Sequence, residues 1–149
     1  MAIPPDLTDN TPGRPARGPA PHPNPTDRET AMTLPTRFDT NARRSRYVIH
    51  NGTLYLGGQV APDRTQDIAG QTRQILDGVD ELLAHAGTTR DRVIATQIFI
   101  KDIKGDFAGM NAVWDAWTPP GATSTRATVQ AEMAAPDILV EMTFVVAMP

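Results

Sequence analysis

The chain has 149 residues, with 14 Lys and Arg against 17 Asp and Glu and a formal net charge of −3. One domain suits that length, and the acidic balance carries no electrostatic footprint for nucleic acid. Disulfides and thiolate chemistry are excluded because there is no cysteine, and no apolar run approaches the ~20 residues that span a bilayer, so a cytoplasmic protein with no membrane partner is expected.

Nine of the 14 prolines fall within residues 1–35. Apolar residues are scarce there and show no period, so ordering that stretch would bury too little surface to offset its entropy. Residues 1–36 are expected to be a disordered Pro-rich tail, ahead of a globular domain over 37–149. No apolar core of a signal peptide is present in the first thirty residues. Met32 offers an alternative translation start that would remove most of the tail.

The composition turns globular at Arg37. "RYVIHNGTLYLGGQV" reads as two short strands joined at Asn51-Gly52, because both turn residues tolerate positive φ. Alternation sends Tyr47 and Ile49 one way, Val48 and His50 the other. Pro62 to Arg64 make a turn. Ile68, Thr72, Ile75, Leu76, Val79, Leu82, Leu83 and Ala86 recur at spacings of three and four, the signature of an amphipathic helix over 67–86. Asp67 suits its N-cap and Gly87 its C-terminus. Gly78, inside it, is expected to mark close packing on a sheet.

"RVIATQIFIKDI", 92–103, is rich in β-branched residues and predicts a buried strand. A second helix is expected to start at a cap on Asp106, with Phe107, Met110, Trp114 and Trp117 on one stripe and Asn111 on the same face. Pro119 and Pro120 stop it. "TSTRATVQ" and "ILVEMTFVVA" predict two more strands. The resulting order, β-β-α-β-α-β-β, implies an α+β sandwich with two helices on one face of a mixed sheet. Ile98, Ile100, Met142 and Phe144 belong to one sheet face or the other. A sheet face that is left uncovered and partly apolar tends to oligomerise.

Familiar catalytic patterns are absent. His22, His50 and His85 are far apart and show no metal-ligand spacing, so no metal is expected. "GGQ", 57–59, is too short to cradle a phosphate and predicts a bulge or a close backbone approach. Arg37, Arg43, Arg44 and Arg46 form a basic run beside the first strand, read as a solvated edge. Arg126 stands out. Its same-face neighbours, Ser124 and Thr128, are short, which leaves room for a ligand above the guanidinium, and that group can hold a carboxylate by two parallel bonds. Glu141 is the matching oddity, an acid within "ILVEMTF". Pattern alone leaves two options open: a salt bridge between adjacent strands, or a functional pair.

"LYLGGQV", "QTRQILDGVDELLAHAG", "VIATQIFIKDI", "DFAGMNAVWDAW", "TRATVQA" and "ILVEMTFVVA" resemble, in that order, the reactive intermediate deaminases, the RidA/YjgF family. The likeness covers roughly residues 44–147, and the tail has no counterpart. It implies a chorismate-mutase-like fold, a homotrimer with clefts between subunits, and hydrolysis of 2-aminoacrylate and related enamine or imine acids to 2-oxo acids and ammonia without any cofactor. By the same resemblance Arg126 grips the substrate carboxylate and Glu141 orients or activates water. Thr128 stands where cysteine is usual and contributes its backbone carbonyl. Asn111, Gly58 and Gln59 fall on further motif positions.

Two positions depart from the family pattern. Gly57 replaces a serine, and Arg44 falls near a usual tyrosine, with Tyr47 close by. Both leave carboxylate binding intact and point to a bulkier or more acidic substrate. The expected substrate-binding set is therefore Arg126, Thr128, Gly57, Gly58, Asn111, Arg44 and Tyr47, with Arg126 and Glu141 catalytic. The alternatives are a non-catalytic trimer that binds small carboxylates, a pathway-specific imine-processing member, and an endoribonuclease or translation inhibitor.

Overall fold

The computed structural model describes residues 34–149. The tail expected over residues 1–36 lies, up to Thr33, outside the described residues, as does His22. The first strand already includes Thr36.

Among the described residues six strands and two helices follow one another: β1 (Thr36–Phe38), β2 (Tyr47–His50), β3 (Thr53–Gln59), α1 (Ile68–Ala86), β4 (Val93–Ile100), α2 (Ile103–Trp117), β5 (Thr125–Gln130) and β6 (Val140–Ala147), with a 3-10 turn at Arg90–Arg92. The α+β order read from the sequence is present, with β1 added in front. That strand is only three residues long, too short for alternation to reveal it. It exists because β2 offers it a partner, and Phe38 stacks on Tyr47 with ring centroids 4.5 Å apart.

The sheet runs β1-β2-β3-β6-β4-β5. All neighbours are antiparallel except β4 and β5, which are parallel and joined by the crossover through α2. Asn51 and Gly52 close the β2–β3 hairpin with φ of 47° and 71°, the left-handed pair that such a turn demands. Between Leu56 and Gln59 the β3–β6 register shifts, so Gly57 and Gly58 form the bulge that "GGQ" suggested.

Both helices cover one sheet face. Helix α1 is capped by Asp67, whose side chain accepts from the Gly70 amide at 2.8 Å, and it ends on Gly87 at φ 80°. Its stripe of Ile75, Leu76, Val79, Leu82 and Leu83 is buried against Leu54, Leu56, Ile98, Ile100, Met142 and Phe144. The four sheet residues left unassigned to a face therefore all point toward the helices. Helix α2 starts a turn earlier than expected: Asp102, not Asp106, is the cap and accepts from the amides of Lys104 and Gly105. The sequence offers an aspartate at both places, and only Asp102 has the extended backbone of a cap. Gly78 does not mark a close approach, since a Cβ there would meet nothing within 4 Å.

A buried polar group ties the loops to this core. Gln71, fully buried in α1, donates to the carbonyls of Arg64, Gln66 and Asp137 at 3.0–3.1 Å and accepts from the Leu139 amide at 3.1 Å. One side chain thus holds the connection before α1 and the approach to β6 in register.

Among the described residues no element covers the opposite sheet face. Register places Tyr55, Val145 and Ala95 in one row and Glu141, Phe99 and Val129 in another. Tyr55 and Val129 are exposed, so this face is partly apolar and open.

Candidate active site

Parallel pairing with β4 sets Arg126 opposite Thr96 and Thr128 opposite Ile98. Thr96 and Ile98 are buried beneath the helices, so Arg126 and Thr128 point to the helix side at the free edge of the sheet. There the crossover brings α2 alongside. Arg126 Nη1 donates to Asn111 Oδ1 at 2.7 Å. Its guanidinium carbon lies 5.4 Å from the centre of the Trp114 ring, within cation–π range.

Two neutral partners therefore orient the guanidinium. Among the described residues it has no acidic partner, and the residue is exposed. One amide oxygen leaves most of the five guanidinium donors available to an incoming carboxylate. The Thr128 hydroxyl, two residues along on the same face, is buried with no hydrogen-bond partner, a buried donor and acceptor open to a bound molecule.

Glu141 belongs to a different part of the surface. It pairs with Phe99 across β6–β4 and so lies on the uncovered face. Strand β4 separates β6 from β5. The two charged groups thus stand on non-adjacent strands and on opposite faces, which excludes the salt bridge between them. Glu141 abuts the bulge: a Cβ on Gly58 would come within 1.9 Å of its Oε1, so glycine is what admits the carboxylate there. Gly58 also lines a cavity of about 330 Å³ together with Asp39, Asn41, Arg44, Arg46 and Gln59. Gly57 donates its amide to the Arg46 carbonyl at 3.1 Å, and its own carbonyl accepts from Gln59 Nε2 at 2.7 Å.

The expected site residues thus fall into two groups. Arg126, Asn111 and Thr128 share the β5 edge. Gly57, Gly58, Arg44 and Glu141 gather at the β3 bulge. Tyr47 belongs to neither group: it is 2% exposed, part of the core under the helices. Burial, with Asp39 nearby, pushes its phenol above the ordinary tyrosine range. Alternation had already sent Tyr47 with Ile49, and the helices cover that side. Trp114 was missed as a site residue. Its place on the apolar stripe explains its burial, and nothing local marks it as the platform under Arg126. His50 sits at the end of β2 with its Nδ1 buried and unpartnered, away from both groups. Among the described residues no cluster of three or more His, Asp or Glu could hold a metal ion, and no helix is long and apolar enough to cross a membrane.

Comparison with known proteins gives a consistent result. Residues 35–148 match the family described as Endoribonuclease L-PSP. The RutC family protein YoaB of Escherichia coli is 40% identical over 116 residues, 78% of this chain and 99% of that protein. Among solved structures, an uncharacterised protein from Pseudomonas aeruginosa is 42% identical, with a TM-score of 0.75 over 78% of this chain and all of the other. NMB1025 from Neisseria meningitidis, a member of the YjgF protein family, is 35% identical with a TM-score of 0.75, covering 79% and 98% of the two chains.

Proposed function

We propose that this chain, which belongs to the YjgF/RidA family described as Endoribonuclease L-PSP, hydrolyses small enamine and imine acids to 2-oxo acids and ammonia. The observation that carries this is the state of Arg126. The guanidinium is exposed, held by a neutral amide and an indole face, and free of any acid among the described residues. A side chain so oriented yet uncompensated is a receptor for a carboxylate.

The chemistry needs little else. The carbon of a protonated imine is electrophilic, so water adds to it directly. An enamine first takes a proton at its β-carbon to become the imine; the C–O bond then forms, one water proton passes to nitrogen, and as the C–N bond breaks and ammonia leaves, the second water proton is released from oxygen to give the carbonyl. Arg126 holds the acid end. Glu141 orients the water or relays its proton. Most of the rate gain comes from positioning.

One chain does not bring these groups together, because Arg126 and Glu141 face opposite ways. We assign the complete site to a seam between copies, with the β5 edge of one subunit against the β3 bulge of the next in a homotrimer. The partly apolar open face supports such packing. No cofactor takes part in this scheme.

The test is release of ammonia and 2-oxo acid from imines generated in situ by an amino-acid oxidase. Arg126→Ala is expected to abolish turnover while the fold survives, since the residue is exposed. Near-normal deamination by that variant would refute the scheme. Binding of 2-oxo acids by the wild type without any turnover would make the protein a carboxylate-binding trimer instead. The formal charge of −3 gives the ribonuclease alternative no electrostatic support, and an RNA-cleavage assay on the same preparation addresses it directly.

A further inference from the structure

We propose that Arg44 reads a second acidic group on the substrate, so that the preferred imines are those of acidic amino acids. This rests on the deaminase reading for the reaction, and on the bulge cavity for the selectivity.

Arg44 is held in place by its own loop. The Asn41 side-chain oxygen accepts the amides of Arg43 and Arg44 at 2.8 and 3.1 Å, and the Asn41 amide donates to the Arg44 carbonyl at 2.9 Å. The hydroxyls of Thr40 and Ser45 close the loop at 2.9 Å. Such a turn fixes the backbone locally and leaves the side chain to do something else. Within the cavity that Arg44 lines, the other charges are Asp39 and Arg46, and these pair with each other at 3.8 Å. Their charges offset, which leaves Arg44 as the uncompensated cation of that cavity among the described residues.

The cavity shares Gly58 with Glu141. A substrate carbon presented to water at Glu141 therefore has its side chain within reach of the Arg44 pocket. At about 330 Å³ the space is at the lower end of ligand pockets, and it leaves room beyond a three-carbon acid. The free charge of this cavity is positive, since Asp39 and Arg46 pair with each other. A neutral side chain would leave Arg44 unpaired, whereas a terminal carboxylate would engage it bidentately.

Calorimetry on the full chain with two five-carbon probes, 2-oxoglutarate and 2-oxopentanoate, tests the selectivity without relying on catalysis. Imines generated from glutamate and norvaline by a suitable oxidase test it in turnover. The wild type is expected to favour the diacid by at least about tenfold, the worth of one charge-assisted contact. Arg44→Ala is expected to erase that ratio. If that variant fails to assemble, Arg44→Gln removes the charge while keeping much of the length and answers the same question. Equal binding of the two probes by the wild type would overturn the assignment, and so would a preference that survives loss of the arginine. Selective binding without turnover of either imine would instead remove the deaminase reading and leave the second-acid site standing.

Discussion

Gly58→Ala separates the role of Glu141 from the stability of the fold. No positive φ is found at Gly58, so alanine suits the backbone. The added Cβ, however, would stand 1.9 Å from Glu141 Oε1 and 2.9 Å from its Cδ. The carboxylate has to withdraw by about 1.5 Å to regain ordinary contact, a shift comparable to the ~1 Å misplacement that costs about 10²-fold in rate. That corresponds to about 2.7 kcal/mol of lost transition-state stabilisation. Glu141 is only partly buried and its tip can rotate away, so the global stability cost is expected to stay within about 1 kcal/mol. The assay is kcat/KM on an in-situ imine, with thermal unfolding alongside. A double-mutant cycle with Glu141→Gln completes it: if the methyl acts through the carboxylate, the double variant is no slower than Glu141→Gln alone. Wild-type turnover by Gly58→Ala would refute the assignment of Glu141 to the water.

Two further predictions concern the scaffold. Gln71→Leu removes the group that satisfies three carbonyls and one amide, and is expected to cost about 2–4 kcal/mol in denaturant unfolding; a loss below about 1 kcal/mol would mean that the loops hold themselves. The Asp106 carboxyl is pushed above the ordinary aspartate range by burial, then by Asp102 and Asp67. The folded state therefore holds that proton more tightly than the unfolded chain, and stability is lost as pH rises from the unfolded value through the folded one. Asp106→Asn removes that dependence, so the melting temperature of the variant relative to wild type is expected to increase from about pH 3 to pH 7. A flat difference across that range would contradict the assignment.

Much of the fold was legible in local pattern. The period of α1 from Ile68 to Ala86, its Asp67 and Gly87 ends and the Asn51-Gly52 turn each depend on neighbours a few residues apart, and each stands where the sequence put it; the β-branched run read as a strand over 92–103 is one over Val93–Ile100, its last residues going to the cap and start of α2. Strand β1 and the start of α2 were less legible. A three-residue strand is stabilised by its partner, and two aspartates competed for one cap.

The site was legible in residue type more than in arrangement. Composition and alternation singled out Arg126 and Glu141, and left a salt bridge between them as open as any function. Strand alternation is a local property, fixed by the two-residue period of the backbone. Which strands are neighbours, and which face the helices cover, depends on contacts between residues far apart in the chain. The insertion of β6 between β3 and β4 put a strand between the two charges and turned them to opposite faces. The crossover through α2 set Asn111 and Trp114 beside Arg126, and the same helical cover buried Tyr47. The sequence by itself determined the elements and the unusual residues on them; only the packed sheet decided which of those residues could meet, because long-range pairing, not local period, sets the distance between side chains.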